Sequence, residues 1–374
     1  MRKRMNYLRC LSLALPCMLL AVGCENGVSS EMENNEPVEL QVAPMVALTR
    51  SAITGGEQKQ PGTGYMQNIS VYATGADYTA DKNNNHAVYT QSSGKWTSTA
   101  DGKIYLTNQA ATVYAYYPAY TVNADGTSGS TAVAINESSF TSASTISIST
   151  LASGTIASTN NADKVWSGTA WTDNNQKSSI VAALGEMDYM WAAKVDGVTN
   201  KANNQPALTM SHALSMVSFR IYNDGTYHNT GALDKIELKD VSTSVLYSGA
   251  KMKIADGTIS DASTTATYTR TITGYTLAKQ GVSNVAAGGE AAASPKLSIM
   301  VLPVASYTTK TVQATFTVDD APYSVALTAP TVGKWEAGKN YLYTVKLSGT
   351  ALSITTVTVT AWEEKAVDGD LTIN

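Results

Sequence analysis

Two residues near the N-terminus are placed for covalent chemistry. Cys24 follows the apolar run 19–23, and a cysteine at the end of an export leader is a site for lipid attachment. Arg50 precedes Ser51, and the peptide bond after an exposed arginine is the bond that trypsin-like proteases hydrolyse. The two reactions would oppose each other, because lipid attachment anchors the chain and cleavage separates it from the anchor.

The first 24 residues have the layout of an export signal. Four Lys and Arg residues precede an apolar core, 11–22, that is too short to cross a bilayer as a helix. We therefore predict a lipoprotein signal peptide over 1–24, with Cys24 carrying the lipid (palmitate). The alternative is an ordinary cleaved signal that contains an incidental cysteine.

Between Cys24 and Arg50 the sequence predicts a propeptide, 25–50, with a removable first strand. An acidic spacer is followed by the alternating run 38–42, which continues to 46–50. Alternation of apolar and polar residues is typical of a strand with one buried face. Cleavage after Arg50 would thus remove the anchor together with one strand.

The remaining chemically capable residues predict no catalytic or metal site. His212 alternates with Leu214 and Met216, as a core or edge histidine does, and His86 and His228 lie apart in turn-rich sequence. The Asp- and Asn-rich turns lack the oxygen-ligand spacing of a calcium loop. No nucleophile elbow or phosphate-binding glycine loop occurs. The sequence therefore predicts no enzyme activity, no cofactor and no metal.

Trp166 and Trp171 flank a short polar run and allow two interpretations. Two exposed aromatic rings could stack on a sugar, which would make the region 160–175 a ligand site. Alternatively, the two rings pin a long loop to the sheet, since tryptophan side chains contribute large apolar surfaces to cores.

Composition limits the class of partner. The chain has 26 basic and 30 acidic residues; the leader holds four of the bases and no acid, which leaves 22 basic and 30 acidic residues and a net charge of −8. Such an acidic body argues against nucleic acid as a partner. All three cysteines lie in the leader, so the body cannot form a disulfide and depends on burial and sheet hydrogen bonds.

After the propeptide the sequence predicts an all-β fold. Short alternating runs recur between Gly, Asn and Asp turns, without long helical periodicity. The predicted strand 112–117 ends at Pro118, because proline has no N–H for a sheet ladder. The polar stretch 196–206 predicts a boundary between an N-terminal domain, 51–204, and a C-terminal domain, 205–374.

An apolar run near the C-terminus alternates in two phases. Its apolar residues are Leu352, Ile354, Val357, Val359 and Ala361. The first two share one parity and the last three share the other. One extra residue at the doublet Thr355-Thr356, either in a β-bulge or in a flexible break, would return all five side chains to one face.

Six short segments occur in an order and spacing that one family shares. They are AYYP at 115–118, DYMWA at 188–192, SHALSMV at 211–217, VLP at 301–303, AGKNYLY at 337–343 and VTVTAW at 357–362. In these segments, which cover most of the chain, the sequence resembles the fimbrillin family. That family comprises pilus subunits and related surface lipoproteins of Bacteroides-type bacteria.

The resemblance implies two tandem transthyretin-like β-sandwich domains and a processing route. The chain would be lipidated at Cys24, carried to the outer membrane and cleaved between Arg50 and Ser51 by an arginine-specific surface protease. Loss of the first strand would leave an apolar groove, which a strand from another copy or a related fimbrial subunit would fill. By position in the chain, the donor strand would lie within 352–362 or extend to Ile373, and its apolar residues would be Leu352, Ile354, Val357, Val359 and Ala361.

The sequence thus favours a stalk subunit of a cell-surface fimbria that supports adhesion. The alternative is a tip adhesin, an anchor subunit or a glycan-binding outer-membrane lipoprotein with a ligand on a host or bacterial surface. A tip subunit need not donate a strand, so the apolar run 352–361 counts against it. An anchor subunit would keep its lipid, so cleavage after Arg50 separates it from the others.

Overall fold

The computed structural model describes most of the chain after residue 35. The described residues are 36–46, 66, 68–75, 84–92, 95–98, 102–123, 128–157, 164–166, 171–173, 180–241, 243–279, 294–305, 311–327, 334–349 and 351–361. Every regular element within them is a strand, and among them there is no helix long and apolar enough to cross a membrane. The predicted all-β class is therefore confirmed, whereas the division into two transthyretin-like domains stays a prediction.

The described residues form 27 strands. In chain order they are β1 (Val38–Glu39), β2 (Ala43–Val46), β3 (Asn68–Thr74), β4 (His86–Ser92), β5 (Lys95–Ser98), β6 (Tyr105–Leu106), β7 (Ala111–Tyr117), β8 (Tyr120–Val122), β9 (Ser128–Ala132), β10 (Thr145–Ser149), β11 (Ser153–Ala157), β12 (Lys164–Trp166), β13 (Trp171–Asp173), β14 (Ile180–Val181), β15 (Met190–Val198), β16 (Ala207–His212), β17 (Ser215–Asn223), β18 (Ala232–Asp240), β19 (Tyr247–Lys253), β20 (Ile259–Thr265), β21 (Tyr268–Thr276), β22 (Ala278–Lys279), β23 (Lys296–Val301), β24 (Val312–Val318), β25 (Ala321–Ala326), β26 (Lys339–Ser348) and β27 (Ala351–Ala361).

A seven-stranded sheet has the order β2-β16-β15-β7-β3-β4-β5. Its central strand β7 ends at Tyr117, so the predicted stop before Pro118 is confirmed. The last five residues of β7 are all buried, as expected of a strand whose sheet is covered on both faces. One of those faces packs on an apolar core that includes Ile69, Val71 and Val113.

A second core lies between a five-stranded sheet, β11-β21-β18-β24-β25, and a six-stranded sheet, β14-β23-β17-β26-β27, in which β22 also pairs with β17. Phe219 from β17 meets Phe316 from β24 edge to face, with ring centroids 5.2 Å apart. Tyr343 from β26 stacks on Phe219 at 5.8 Å. Aromatic rings from both sheets therefore fill the centre of this sandwich.

Strand pairing crosses the predicted boundary between residues 204 and 205. β16 begins at Ala207 and belongs to the seven-stranded sheet, whereas β10 and β11 pair with β19 and β21. Residues on either side of the boundary thus share sheets, and its position stays a prediction.

Gly257 is enclosed by an aromatic ring. It lies in the turn between β19 and β20 with φ of +68°, and a Cβ at this position would lie 2.0 Å from Nε1 of Trp191. Trp191 belongs to β15, so this contact packs the turn against the seven-stranded sheet. Only a residue without a side chain fits under the indole ring.

We expect Gly257→Ala to destabilise the protein more than Gly197→Ala. Both glycines have left-handed φ values, +68° and +74°, where a Cβ costs roughly 1–2 kcal/mol. A Cβ at Gly197 meets nothing within 4 Å, whereas one at Gly257 must displace Trp191. The difference between the unfolding free energies of the two variants in urea measures that displacement. Equal losses in the two variants would contradict the contact.

Candidate functional site

The segment 36–46 contributes β2 to one edge of the seven-stranded sheet and β1 to a separate two-stranded sheet. β1 pairs antiparallel with β6, and β2 pairs parallel with β16. The sequence predicted a single strand, but the structure has two short ones because consecutive residues bond to different partners. The Leu40 N–H donates to the Ile104 carbonyl at 2.8 Å, and the Gln41 N–H donates to the Asn204 carbonyl at 3.0 Å. We call the groove that holds this segment the N-terminal slot.

Two side chains of the segment complete the core of the sheet. Leu40 and Val42 are 0% and 3% exposed, whereas Gln41 between them faces solvent. The Tyr89 hydroxyl donates a buried hydrogen bond of 2.6 Å to the Leu40 carbonyl. Burial raises the pKa of Tyr89, and the nearby charge of Glu39 raises it further, so the phenol stays protonated and remains a donor.

Glu39 makes two polar contacts at the rim of the N-terminal slot. Its Oε2 accepts a hydrogen bond from Lys103 Nζ at 2.6 Å, and its Oε1 accepts one from Ser98 Oγ at 2.9 Å. The Glu39 carboxylate raises the pKa of Lys103 through this contact. A shift of the segment by one residue would move the carboxylate away from Lys103 and turn Leu40 out of the core. The rim contact and the buried leucine therefore set one register.

Removal of the segment would uncover an acceptor for another strand. β16 would lose its partner from Ala207 to Met210, four backbone positions. Leu208 and Met210 share the core with Leu40 and Val42 and would lose that cover. An open sheet edge with an apolar face is a template for strand addition.

The predicted donor residues lie in β27, which pairs antiparallel with β26 of the same chain. The register shifts between Thr344 and Val345, where Thr355 is the extra residue. The Thr355 hydroxyl donates to the Thr344 carbonyl at 3.2 Å. Of the two predicted alternatives for the doublet Thr355-Thr356, the β-bulge is therefore confirmed.

Three of the five predicted residues pack against the second core. Leu352, Ile354 and Val357 are partly buried against the second core, whereas Val359 is 43% exposed. Ala361 is the last residue of β27, and its side chain lies outside the described part of the structure. β27 and the N-terminal slot belong to different sheets, and the donor assignment stays a prediction.

Cys24, Arg50 and Ser51 lie outside the described residues, so lipid attachment and cleavage stay predictions. The other arginines after the leader are Arg220, within β17, and Arg270, fully buried within β21. Proteases cut exposed chain far more readily than residues within a sheet. Neither arginine therefore competes with Arg50 as a cleavage site.

Comparison with known protein families identifies the family to which this sequence belongs. The sequence profile described as fimbrillin-like matches residues 62–362, well over half of the chain. The chain belongs to the fimbrillin-like family. The resemblance inferred from the six short segments is thereby confirmed. No curated protein sequence matches the chain.

Several solved structures share the fold of this fimbrillin-like protein. A candidate cell adhesion protein from Bacteroides uniformis is 18% identical, with a TM-score of 0.50 over 87% of this chain and 99% of that one. A candidate cell adhesion protein from Bacteroides ovatus is 15% identical, with a TM-score of 0.51 over 89% and 99%. A fimbrial protein from Bacteroides vulgatus is 13% identical, with a TM-score of 0.51 over 87% and 99%. At these identities the likeness shows the fold alone.

One buried polar pair of the fimbrillin-like protein involves a predicted residue and an unpredicted partner. His212 is buried, as predicted, and its Nδ1 lies 2.7 Å from Oδ2 of Asp188, which is also buried. Both residues lie in segments that carry the family resemblance, and that was the only sequence signal for the pair. Among the described residues no group of three or more His, Cys, Asp or Glu side chains is placed to hold a metal.

A second buried pair, an ion pair, was not predicted from the sequence. Arg270 Nε and Nη2 donate to Glu186 Oε1 at 2.8 and 2.5 Å, and the Met300 N–H donates to Glu186 Oε2 at 3.0 Å. Arg270 Nη2 also donates to the Leu151 carbonyl at 2.9 Å. Glu186 therefore links β21 of the five-stranded sheet to β23 of the six-stranded sheet at the second core.

Proposed function

We propose that this fimbrillin-like protein is a stalk subunit of a cell-surface fimbria and supports adhesion. It is exported as a lipoprotein acylated at Cys24, reaches the outer membrane, and is cut between Arg50 and Ser51 by an arginine-specific surface protease. It then polymerises by strand exchange with other copies or related subunits. The observation that carries the proposal is the N-terminal slot, where the segment between the lipid site and the cleavage site fills the core with Leu40 and Val42.

The strength of the slot contacts suits a strand that is later replaced. Burial of Leu40 and Val42 contributes roughly 1.5–3 kcal/mol each. Each backbone hydrogen bond adds about 0.5–1.5 kcal/mol. Holding the segment in one conformation costs about 1–2 kcal/mol per residue. These opposing terms are of similar size, so the segment is stable while tethered and open to exchange once it is cut free.

The donor comes from the C-terminal part of a second copy, within the stretch that begins at β27, with Leu352, Ile354, Val357, Val359 and Ala361, and extends to Ile373. Acceptor and donor lie at different ends of the chain, so each added subunit presents a new acceptor. Unequal ends of this kind give a head-to-tail, open-ended fibre.

One observation favours a second candidate, a tip adhesin or anchor subunit on the outer membrane with a glycan or another surface ligand. β27 pairs with β26 of its own chain at ten positions from Ala351 to Ala361, and Leu352, Ile354 and Val357 pack against their own core. A tip subunit can keep its C-terminal strand in this way because no further subunit depends on it.

The N-terminus of the mature protein on cells tests the proposal. We expect Edman sequencing and intact mass spectrometry to show a chain that begins at Ser51 within fimbriae. A mature chain that begins at an acylated Cys24 would contradict the stalk assignment and favour the anchor. A chain that begins at Ser51 but occurs once per fibre, counted by immunogold labelling, would favour the tip.

A further inference from the structure

The N-terminal slot selects a short sequence pattern. It takes a carboxylate at Glu39, a buried aliphatic side chain at Leu40, an outward-facing residue at Gln41 and a second buried aliphatic side chain at Val42. Two of these positions have polar partners: Lys103 and Ser98 for the carboxylate, and the Tyr89 hydroxyl for the Leu40 carbonyl. A strand that replaces this segment in the same direction must supply the same order.

The order acid, aliphatic, any residue, aliphatic (Ile, Leu, Met or Val) occurs at two places in the sequence. The first is Glu39-Leu40-Gln41-Val42, and the second is Asp370-Leu371-Thr372-Ile373. The second lies beyond β27, in the part of the chain from which the proposed donor comes. Its third residue is polar, as is Gln41, which faces solvent in the slot.

β27 does not offer this pattern. Its apolar residues are preceded by Ser, Thr or Ala, so none of them brings a carboxylate to Lys103. Leu352, Ile354 and Val357 already pack against the second core, and their departure would open the edge of β26. That cost is avoided if β27 stays paired with β26 and only the residues after it cross to the neighbour, which narrows the proposed donor stretch to the residues after Ala361.

The chain after β27 is long enough for that. Nine residues lead from Ala361 to Asp370, and an extended chain covers at most ~3.3–3.6 Å per residue, or roughly 30 Å here. This span is comparable with the diameter of a small domain. The segment can therefore reach an adjacent subunit while β27 remains paired with β26.

Building on the proposed strand exchange, we propose that Asp370–Ile373 of a second copy occupies the N-terminal slot. Asp370 takes the place of Glu39 at Lys103 and Ser98. Leu371 takes the place of Leu40, so that its carbonyl accepts the hydrogen bond from the Tyr89 hydroxyl, and Ile373 takes the place of Val42. The carboxylate sets the register, and the two aliphatic side chains close the core.

Paired cysteines test the register, because the chain after the leader has no cysteine of its own. Ala207 is the backbone partner of Ala43 in the slot, and Asn374 would take the place of Ala43 in the proposed register. Neighbouring strands lie about 4.7–4.9 Å apart, within the Cα separation that a disulfide needs. We expect Ala207→Cys with Asn374→Cys to give a covalent ladder of polymer, after arginine-specific cleavage, on non-reducing denaturing gels.

Two matched pairs control this experiment. Ala43→Cys with Ala207→Cys should form a disulfide within the uncut chain, which shows that position 207 is reactive. Ala207→Cys with Val359→Cys should give no covalent ladder. A ladder from the Val359 pair, or a polymer of the Asn374 pair that carries no disulfide, would overturn the register. If the unsubstituted protein itself does not polymerise after cleavage at Arg50, the proposed strand exchange fails instead.

Charge reversal tests the role of the carboxylate. Asp370→Lys should abolish the polymer, because it places two ammonium groups together at the rim of the slot. A variant with Glu39→Lys, Lys103→Asp and Asp370→Lys restores opposite charges in both the precursor and the polymer, and it should assemble again. Unchanged assembly of Asp370→Lys alone would overturn the assignment of Asp370.

Discussion

Replacement of Arg50 by alanine is expected to leave the protein full length, anchored at the membrane and unpolymerised. Arg220 and Arg270 lie within strands, so no other arginine after the leader offers an accessible bond. The uncut segment keeps Leu40 and Val42 in the N-terminal slot, where they exclude any incoming strand. Immunoblots of membrane fractions should show the precursor and no ladder.

Two variants define the specificity of this effect. Arg220→Lys removes an arginine from inside a sheet and should process and polymerise normally. Arg50→Lys keeps the positive charge, so it should block an arginine-specific protease but remain a substrate for one that also accepts lysine. A ladder of normal length from Arg50→Ala would contradict cleavage at this position as the step that releases assembly.

Local features of the sheet could be predicted from the sequence. The end of β7 at Tyr117 follows from the missing N–H of Pro118, and the bulge at Thr355 follows from a change of parity along one strand. Each of these two features depends on residues that are adjacent in the chain, so the local sequence pattern is enough to predict it.

The contacts that build the N-terminal slot could not be predicted in this way. The segment was predicted as a strand, yet its partners are far away in sequence. Lys103 is 64 residues from Glu39, and Tyr89 is 49 residues from Leu40. A single sequence contains no local signal that joins such positions, because the sheet order brings them together. The buried pair of Glu186 and Arg270, 84 residues apart, was missed for the same reason.

A large loss of stability is expected from Arg270→Met, because the Glu186 carboxyl group would lose its counter-charge in the core. Glu186 and Arg270 are both fully buried, and their contact links the two sheets around the second core. Removal of one partner of a buried ion pair costs about 3–5 kcal/mol. That is a large share of the roughly 5–15 kcal/mol that stabilises a typical domain. Urea unfolding followed by tryptophan fluorescence at neutral pH measures the loss.

The loss of stability in Arg270→Met should shrink as the pH falls. This pH dependence distinguishes an unpaired charge from a simple packing defect. Burial raises the pKa of Glu186, and the Arg270 guanidinium opposes that rise, so Arg270→Met should raise the pKa further. A carboxyl with a folded-state pKa above its unfolded value favours folding below the unfolded pKa, and this contribution is lost as the pH rises through the folded pKa. The difference in unfolding free energy between the variant and the unsubstituted protein should therefore narrow toward pH ~4.

An exposed ion pair provides the matched control for this pH series. Lys251→Met breaks the 2.9 Å contact with Asp261, in which both side chains are largely exposed, and it should change stability little because solvent screens such pairs. A loss in Arg270→Met that stays constant from neutral to acidic pH would contradict an unpaired Glu186 charge. It would assign the effect to the hydrogen bonds that Arg270 donates to the Leu151 and Thr269 carbonyls, which do not titrate in this range.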